Sequence, residues 1–397
     1  MDGPVPDLAD DLLAPARAGE ATAVLPDGVF RVRLAIAEGR IVEVERGTPV
    51  PEEAWFDGRD LLLPGAVDLH TDHVEKHLFP RAGVRWDPLA ALLAHDAQAT
   101  GAGITTVFDG LAVGASLRNP ERREILGPLL EALERAGEDG LFRAEHLVHL
   151  RCEVCDPETP ELTAETIDRP RVRLVSVMDH TPGDRQSPDV ARWTARMAAD
   201  LGLDPGEAEA RTEALLARSA RVSAAVRAEV TAAARARGLP LMSHDDASAA
   251  HVAAAAAEGA AISEFPTTVE AARAARAAGL TVVAGAPNYL RGGSQSGNVA
   301  VRALLEAGLV DALASDYVPR SLLDAAVAIA ADPALDLPLH AAVTMTSAAP
   351  ARLAGLTDRG AIAPGLRADL ALVRPLGGRH PRRVHLRGLW RAGRRTF

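Results

Sequence analysis

At 397 residues the chain is too long for one minimal domain but right for a barrel of about 250 residues plus an accessory module. Its 48% apolar and 24% charged content is ordinary for a globular protein. Its interrupted apolar segments fall short of the ~20 residues that span a bilayer. A net charge of −11 argues against non-specific nucleic-acid binding, yet a local basic pocket could still take a polyanionic small substrate.

The first stretch, residues 1–20, is acidic and lacks the basic start and apolar run of a signal peptide, so it reads as an N-terminal extension. Residues 21–60 read as short β-structure, with Phe30 to Ile36, a Glu-Gly-Arg turn and Ile41 to Glu45 predicting a hairpin. The far end, residues 361–397, matches it with Ala368 to Val373, Arg383 to Arg387 and Leu389 to Arg394. A small β-sandwich-like module built from both chain termini is therefore expected.

Between them, residues 61–360 alternate. Short apolar runs occur at 61–70, 104–109, 145–151, 172–178, 239–244, 261–265, 280–284 and 310–315, with helical patterns at 88–101, 121–136, 247–259, 268–279, 298–308 and 321–331. Strand–helix alternation implies a parallel sheet, and eight units imply closure, so the fold class is α/β, a (β/α)₈ TIM barrel. The connection at 189–238 is long and rich in Ala, Arg and Glu, and predicts a helical insertion over the barrel mouth. Two cysteines, Cys152 and Cys155, without a second pair, read as ordinary reduced thiols and point to a cytoplasmic protein.

In such barrels the chemistry sits at the C-terminal strand ends. Here those ends read His70-Thr-Asp72, His149-Leu-Arg151-Cys-Glu153, Asp179-His180, His244-Asp245-Asp246, Glu264 and Asp316. Residues two apart on a strand face the same way, so His70 and Asp72 should both face the barrel axis and share a cation. A lone Asp at a strand end is as readily a helix N-cap, and a lone His a structural hydrogen-bonder. The set as a whole is what points to a divalent metal site, and imidazole with carboxylate suits Zn, Mn or Fe(II).

That set resembles the amidohydrolase superfamily, whose first strand usually ends His-x-His and whose eighth supplies an Asp. The His-Thr-Asp motif departs from this pattern. Lys76, the only lysine, lies after strand one and is poorly placed for the carboxylated-lysine bridge of those enzymes, which makes Glu153 the best substitute. The departure is shared by one branch. Leu63-Pro-Gly-Ala-Val-Asp-Leu-His-Thr-Asp-His-Val-Glu-Lys-His77, Arg143-Ala-Glu-His-Leu-Val-His-Leu-Arg-Cys-Glu153 and Val175-Ser-Val-Met-Asp-His-Thr-Pro-Gly183 are its first markers. Ser243-His-Asp-Asp246, Glu264-Phe-Pro-Thr-Thr268, Gly285-Ala-Pro-Asn-Tyr-Leu-Arg-Gly-Gly-Ser-Gln-Ser-Gly-Asn298 and Ala314-Ser-Asp-Tyr317 complete them. From about residue 60 onward the chain is similar to the phosphonate-metabolism hydrolases of the carbon–phosphorus lyase pathway.

The resemblance implies a diphosphatase that cuts α-D-ribose 1-methylphosphonate 5-triphosphate to the 5-phosphate and pyrophosphate. It implies one or two divalent ions, zinc first and Mn or Fe next, held by His70, Asp72, Glu153, His180, His244 and Asp316. Glu264, where the superfamily commonly has a histidine, is a further candidate ligand. Asp316 would take the water's proton, with His244 as ligand or orienting group. Asp68, Asp179, Asp245 and Asp246 would support the ligands.

Features of the chain agree with a small polyphosphorylated sugar as partner. Arg291-Gly-Gly-Ser294-Gln-Ser-Gly-Asn298 follows strand seven and leads into a helix, where backbone N–H groups favour anions. Lys76, His77, Arg81 and Arg85 enrich the loop after strand one in cations, Arg151 faces inward, and Arg185 follows strand four. Lys76, Arg151, Arg185, Arg291 and Ser294 are the candidate phosphate contacts, and a homo-oligomer is compatible with the chain. Two other readings stand beside this one: an amidohydrolase acting on a C–N bond, such as a deaminase or cyclic amidase, and a non-catalytic barrel homologue.

Overall fold

At Gly65 the chain passes from one sheet into another, and a side chain there would collide with Thr105. The computed structural model describes residues 19–51, 59–81, 83–114, 122–377 and 383–397, so most of the N-terminal extension lies outside the described residues. Four strands precede the junction: β1 (Gly19–Leu25), β2 (Gly28–Ala37), β3 (Arg40–Pro49) and β4 (Leu61–Pro64). The β2–β3 hairpin turns through Glu38 and Gly39, both with positive φ, the signature of a tight two-residue turn.

The barrel strands follow as β5 (Ala66–Thr71), β6 (Ile104–Val113), β7 (Glu145–Glu153), β8 (Val172–Met178), β9 (Leu241–His244), β10 (Ile262–Glu264), β11 (Thr281–Gly285) and β12 (Ala312–Ala314). They pair in parallel in sequence order. A bridge between Thr71 and Asp316 joins the first to the last. Asp316 N–H donates to the His70 carbonyl at 2.9 Å, and Asp72 N–H to the Asp316 carbonyl at 3.3 Å. The apolar run 61–70 is thus two strands: its first half belongs to the terminal module and its second half opens the barrel.

The module is completed by β13 (Leu370–Leu376), β14 (Arg383–Arg391) and β15 (Arg394–Arg395), giving one seven-stranded sheet ordered β15-β14-β13-β4-β1-β2-β3. Leu25, Leu34, Ile41, Leu62, Leu370 and Trp390 form its core.

The barrel interior is filled near its floor by Val67, Leu69, Phe108, Leu147, Leu174, Met242, Ile262 and Val283. Helices surround it, several opened by side-chain caps: Asp87 accepts from Ala90 N–H, Ser248 from His251 N–H and Thr268 from Ala271 N–H. The insertion forms two helices, Val190–Leu201 capped by Asp189 and Pro205–Ala236 capped by Asp204. Gly202 adopts a left-handed conformation between them, which stops the first.

Candidate active site

Strand alternation builds the site. On β7, Val148, Leu150 and Cys152 pack outward, while Leu147 points into the barrel. The period of two then stacks His149, Arg151 and Glu153 above Leu147 toward the mouth. On β9 and β10 the same step runs from Met242 to His244 and from Ile262 to Glu264. Each inward column is apolar at the floor and ionisable at the top.

Glu264, fully buried, joins two strands across the mouth. Its Oε1 lies 2.7 Å from His70 Nδ1 and its Oε2 lies 2.6 Å from His244 Nδ1. Burial alone would raise the Glu264 carboxyl, but the His70, His244 and His149 imidazoles outweigh it and hold the group well below its usual range. His244 is opposed by burial, yet Asp245 and Glu264 push it up to about 10, with Asp245 Oδ2 3.2 Å from its Nε2. Burial leaves His149 neutral, with a pKa near 3.

A second group sits beside the first. His180 Nδ1 is 2.7 Å from Glu153 Oε2, and its backbone N–H reaches Glu153 Oε1 at 3.3 Å. The His180 and His244 ring centres are 5.8 Å apart. Asp72, placed from sequence to share a cation with His70, lies just past β5 and faces Arg151 instead, at 3.6 Å. Burial and the neighbouring Asp72 raise the Asp316 carboxyl to about 7. Asp245, Phe265 and Asp316, at or just past the strand ends, all have positive φ near 55°. Strained backbone of this kind is characteristic of functional sites.

Two groupings of donor atoms here are close enough to share a cation: His70 with His244 and Glu264, and His180 with His244 and Asp245. His149 adds a buried Nε2 without a hydrogen-bond partner among the described residues, its ring centre 5.3 Å from that of His70. An orphaned buried imidazole nitrogen among imidazoles and carboxylates fits a divalent ion. His149, named at a strand end from sequence but given no role there, is thereby a candidate site residue. Cys152 and Cys155 are free and buried, and burial pushes the Cys152 thiol up to about 12.

Above these groups opens a cavity of about 500 Å³. Lys76, Arg122, Arg151, Arg192 and Arg196 line it, together with Trp193, Gln295, Ser296 and Tyr317. Arg192 and Arg196 lie four apart on the insertion helix and so share a face. Of the arginines expected from sequence, Arg151 lines the cavity, buried, and its Nε and Nη1 have no hydrogen-bond partner among the described residues. Arg185 does not line it; its guanidinium is buried, bonded to Asp246 Oδ1 at 2.7 Å and the His244 carbonyl at 3.1 Å. Arg291 is exposed, with Nη1 3.2 Å from the Tyr317 hydroxyl, and Ser294 faces an adjoining small cleft rather than the main cavity. The sequence pattern did not mark Arg122, Arg192, Trp193 or Arg196; for the three on the insertion helix the one signal was the Arg-rich character of that segment, and for Arg122, at the start of the helix after β6, there was none.

Comparison with known proteins agrees with this architecture. Residues 65–397 match the amidohydrolase family. The chain is 41% identical over 375 residues to the α-D-ribose 1-methylphosphonate 5-triphosphate diphosphatase of Escherichia coli strain K12, covering 94% of this chain and 98% of that protein. Among solved structures, it is similar to a Xaa-Pro dipeptidase with methionine in its active site, with a TM-score of 0.60 at 14% identity, covering 95% of this chain and 98% of that one. It is also similar to the N-acetyl-D-glucosamine-6-phosphate deacetylase of Mycobacterium smegmatis, with a TM-score of 0.56 at 17% identity and coverage of 95% and 98%. These structural likenesses carry the fold.

Proposed function

The chain belongs to the amidohydrolase family, and from that premise we propose that it hydrolyses α-D-ribose 1-methylphosphonate 5-triphosphate to the 5-phosphate and pyrophosphate. The observation that carries this reading is the near end-to-end match to the Escherichia coli diphosphatase. The site supports it: four arginines and one lysine line the cavity beside aspartates that include Asp316, so cations for a polyphosphate ester stand next to carboxylates for a divalent ion.

One or two divalent ions, zinc first, would be held by His70, His180 and His244, with carboxylates from Asp245, Glu153 and Asp316. The chemistry supplied by a cation there would be a lowered pKa for a bound water and withdrawal of charge from a phosphoryl oxygen. Glu264 fixes the Nδ1 side of His70 and His244, leaving the opposite ring nitrogens to coordinate. To hold the ion, His244 would have to be neutral, so binding would be coupled to loss of its proton. Asp316, at the end of the eighth barrel strand and lining the cavity, is placed to accept a proton from the attacking water. Arg151, Arg122, Lys76, Arg192 and Arg196 grip the phosphates and hold the charge that develops on the leaving pyrophosphate. Arg185 acts as a positioning residue that braces Asp246 and the His244 backbone. The described residues hold no helix long and apolar enough to cross a membrane.

The test is pyrophosphate release from the ribose triphosphate, run beside a panel of cyclic amides and aminated bases. Release from the triphosphate, abolished by exhaustive chelation and restored by Zn²⁺ or Mn²⁺, is the expected result. Turnover of an amide without pyrophosphate release would overturn the reading.

A further inference from the structure

A second histidine cluster lies behind the barrel wall. Phe108 and Leu147 point into the barrel, so Asp109 and His146, one residue along β6 and one back along β7, face outward. There they meet the helix Pro88–Gly101, which buries His95 and Asp96 against them. His73 and His77 approach from the short helix Val74–Leu78 that follows β5. His73 has helical φ and ψ, so the two histidines are four apart on one helical face. We propose that His73, His77 and His95 form a structural site for a first-row divalent cation such as Zn²⁺, separate from the catalytic mouth.

Three observations carry this. One ring nitrogen from each histidine lies within 4.8 Å of the others. Their ring centres are 5.2, 6.0 and 6.3 Å apart. Three imidazoles bonded at ~2.1 Å to a tetrahedral ion have ring centres about 5 Å apart, so a small inward movement completes the site. Second, His73 Nδ1 and His95 Nδ1 are buried with no hydrogen-bond partner among the described residues, a cost that a bound ion would remove. Third, His95 Nε2 stands 3.0 Å from Asp109 Oδ1, and Asp109 Oδ2 stands 2.8 Å from His146 Nδ1. A ligating histidine backed by a carboxylate is the arrangement that orients metal-bound imidazoles. Gln98 Oε1, 3.1 Å from His77 Nε2, lies at the open side, where it or water would complete the coordination.

An ion there would tie the segment carrying Asp72 and Lys76 to the outer helix. The test strips the full-length protein with chelator, reloads it with Zn²⁺ or Co²⁺, removes excess, and counts metal per chain. His77→Ala, at a partly exposed position, and the milder His77→Asn should each bind one equivalent fewer than wild type while keeping the wild-type far-UV spectrum. His244→Ala, altered at the mouth, should keep the equivalent that His77→Ala loses. Adding Zn²⁺ to stripped His244→Ala should raise its Tm by several degrees, and adding it to His77→Ala/His244→Ala should not. Equal metal content in wild type and both His77 variants would overturn the proposal, whatever the fate of the catalytic assignment.

Discussion

Glu264, on the sixth barrel strand, holds His70, on the first, through a 2.7 Å contact between Oε1 and Nδ1. Its other oxygen holds His244 on the fifth. One carboxylate therefore sets the orientation of two rings that no local interaction could align. Glu264→Gln keeps the shape but removes the charge and one acceptor. We expect metal affinity or turnover to fall by roughly 10–100-fold with the fold intact, read as metal retention after dialysis alongside kcat. Wild-type values for both would reduce Glu264 to packing.

Asp316 sits where a proton acceptor is needed, with its carboxyl raised to about 7 by burial and by Asp72. Asp316→Ala should lower kcat by at least 10²-fold, the usual range for a lost general base. Circular dichroism should be unchanged. Full activity would remove Asp316 from the chemistry.

The insertion helix offers Arg192 and Arg196 to the cavity. Each charge-assisted contact to phosphate is worth about 1.5–3 kcal/mol, so Arg192→Ala and Arg196→Ala should each lower kcat/KM by ~10–100-fold, chiefly through KM. A rise in salt should weaken wild-type binding more than that of either variant. An unchanged KM in both would place the insertion outside substrate recognition.

Glu145, at the opposite end of β7, joins barrel to module: Arg359 Nη1 approaches Oε2 at 2.8 Å and Arg367 contacts the same oxygen. Burial raises its carboxyl, but Arg367 and then Arg359 outweigh that and hold it below the ordinary value. A depressed folded pKa means the stabilisation is complete above the unfolded value of roughly 4.3 and is lost as pH falls through the folded one. Glu145→Gln should cost about 1.5–3 kcal/mol near neutral pH and flatten the acid limb of the stability curve. Parallel acid limbs in variant and wild type would refute the assignment.

Much of the site was legible because barrel chemistry follows strand register. Inward alternation placed Arg151 and Glu153 beside His149, and the eight apolar runs marked the strands. What was hidden depends on non-local direction. The run 61–70 is evenly apolar, so the break at Gly65 left no trace in its pattern. Arg185 has a positive φ, which turns its side chain to Asp246 rather than to substrate. Asp72 lies one residue beyond the strand, where alternation no longer fixes direction. Which face the insertion helix presents is set by packing on its neighbours, so Arg192 and Trp193 could not be told from solvated residues.

The position of β4 also bears on how the protein is made. Its partner β13 begins at Leu370, far downstream of Leu61. At ribosomal speeds of about 5–20 residues per second, β4 waits roughly 15–60 s for that partner to emerge. During that interval β1, β2 and β3 can pair, but β4 keeps an open hydrogen-bonding edge. Nascent chains should therefore depend on chaperones until synthesis is nearly finished, and losing the last thirty or so residues should harm solubility more than their small share of the mass suggests.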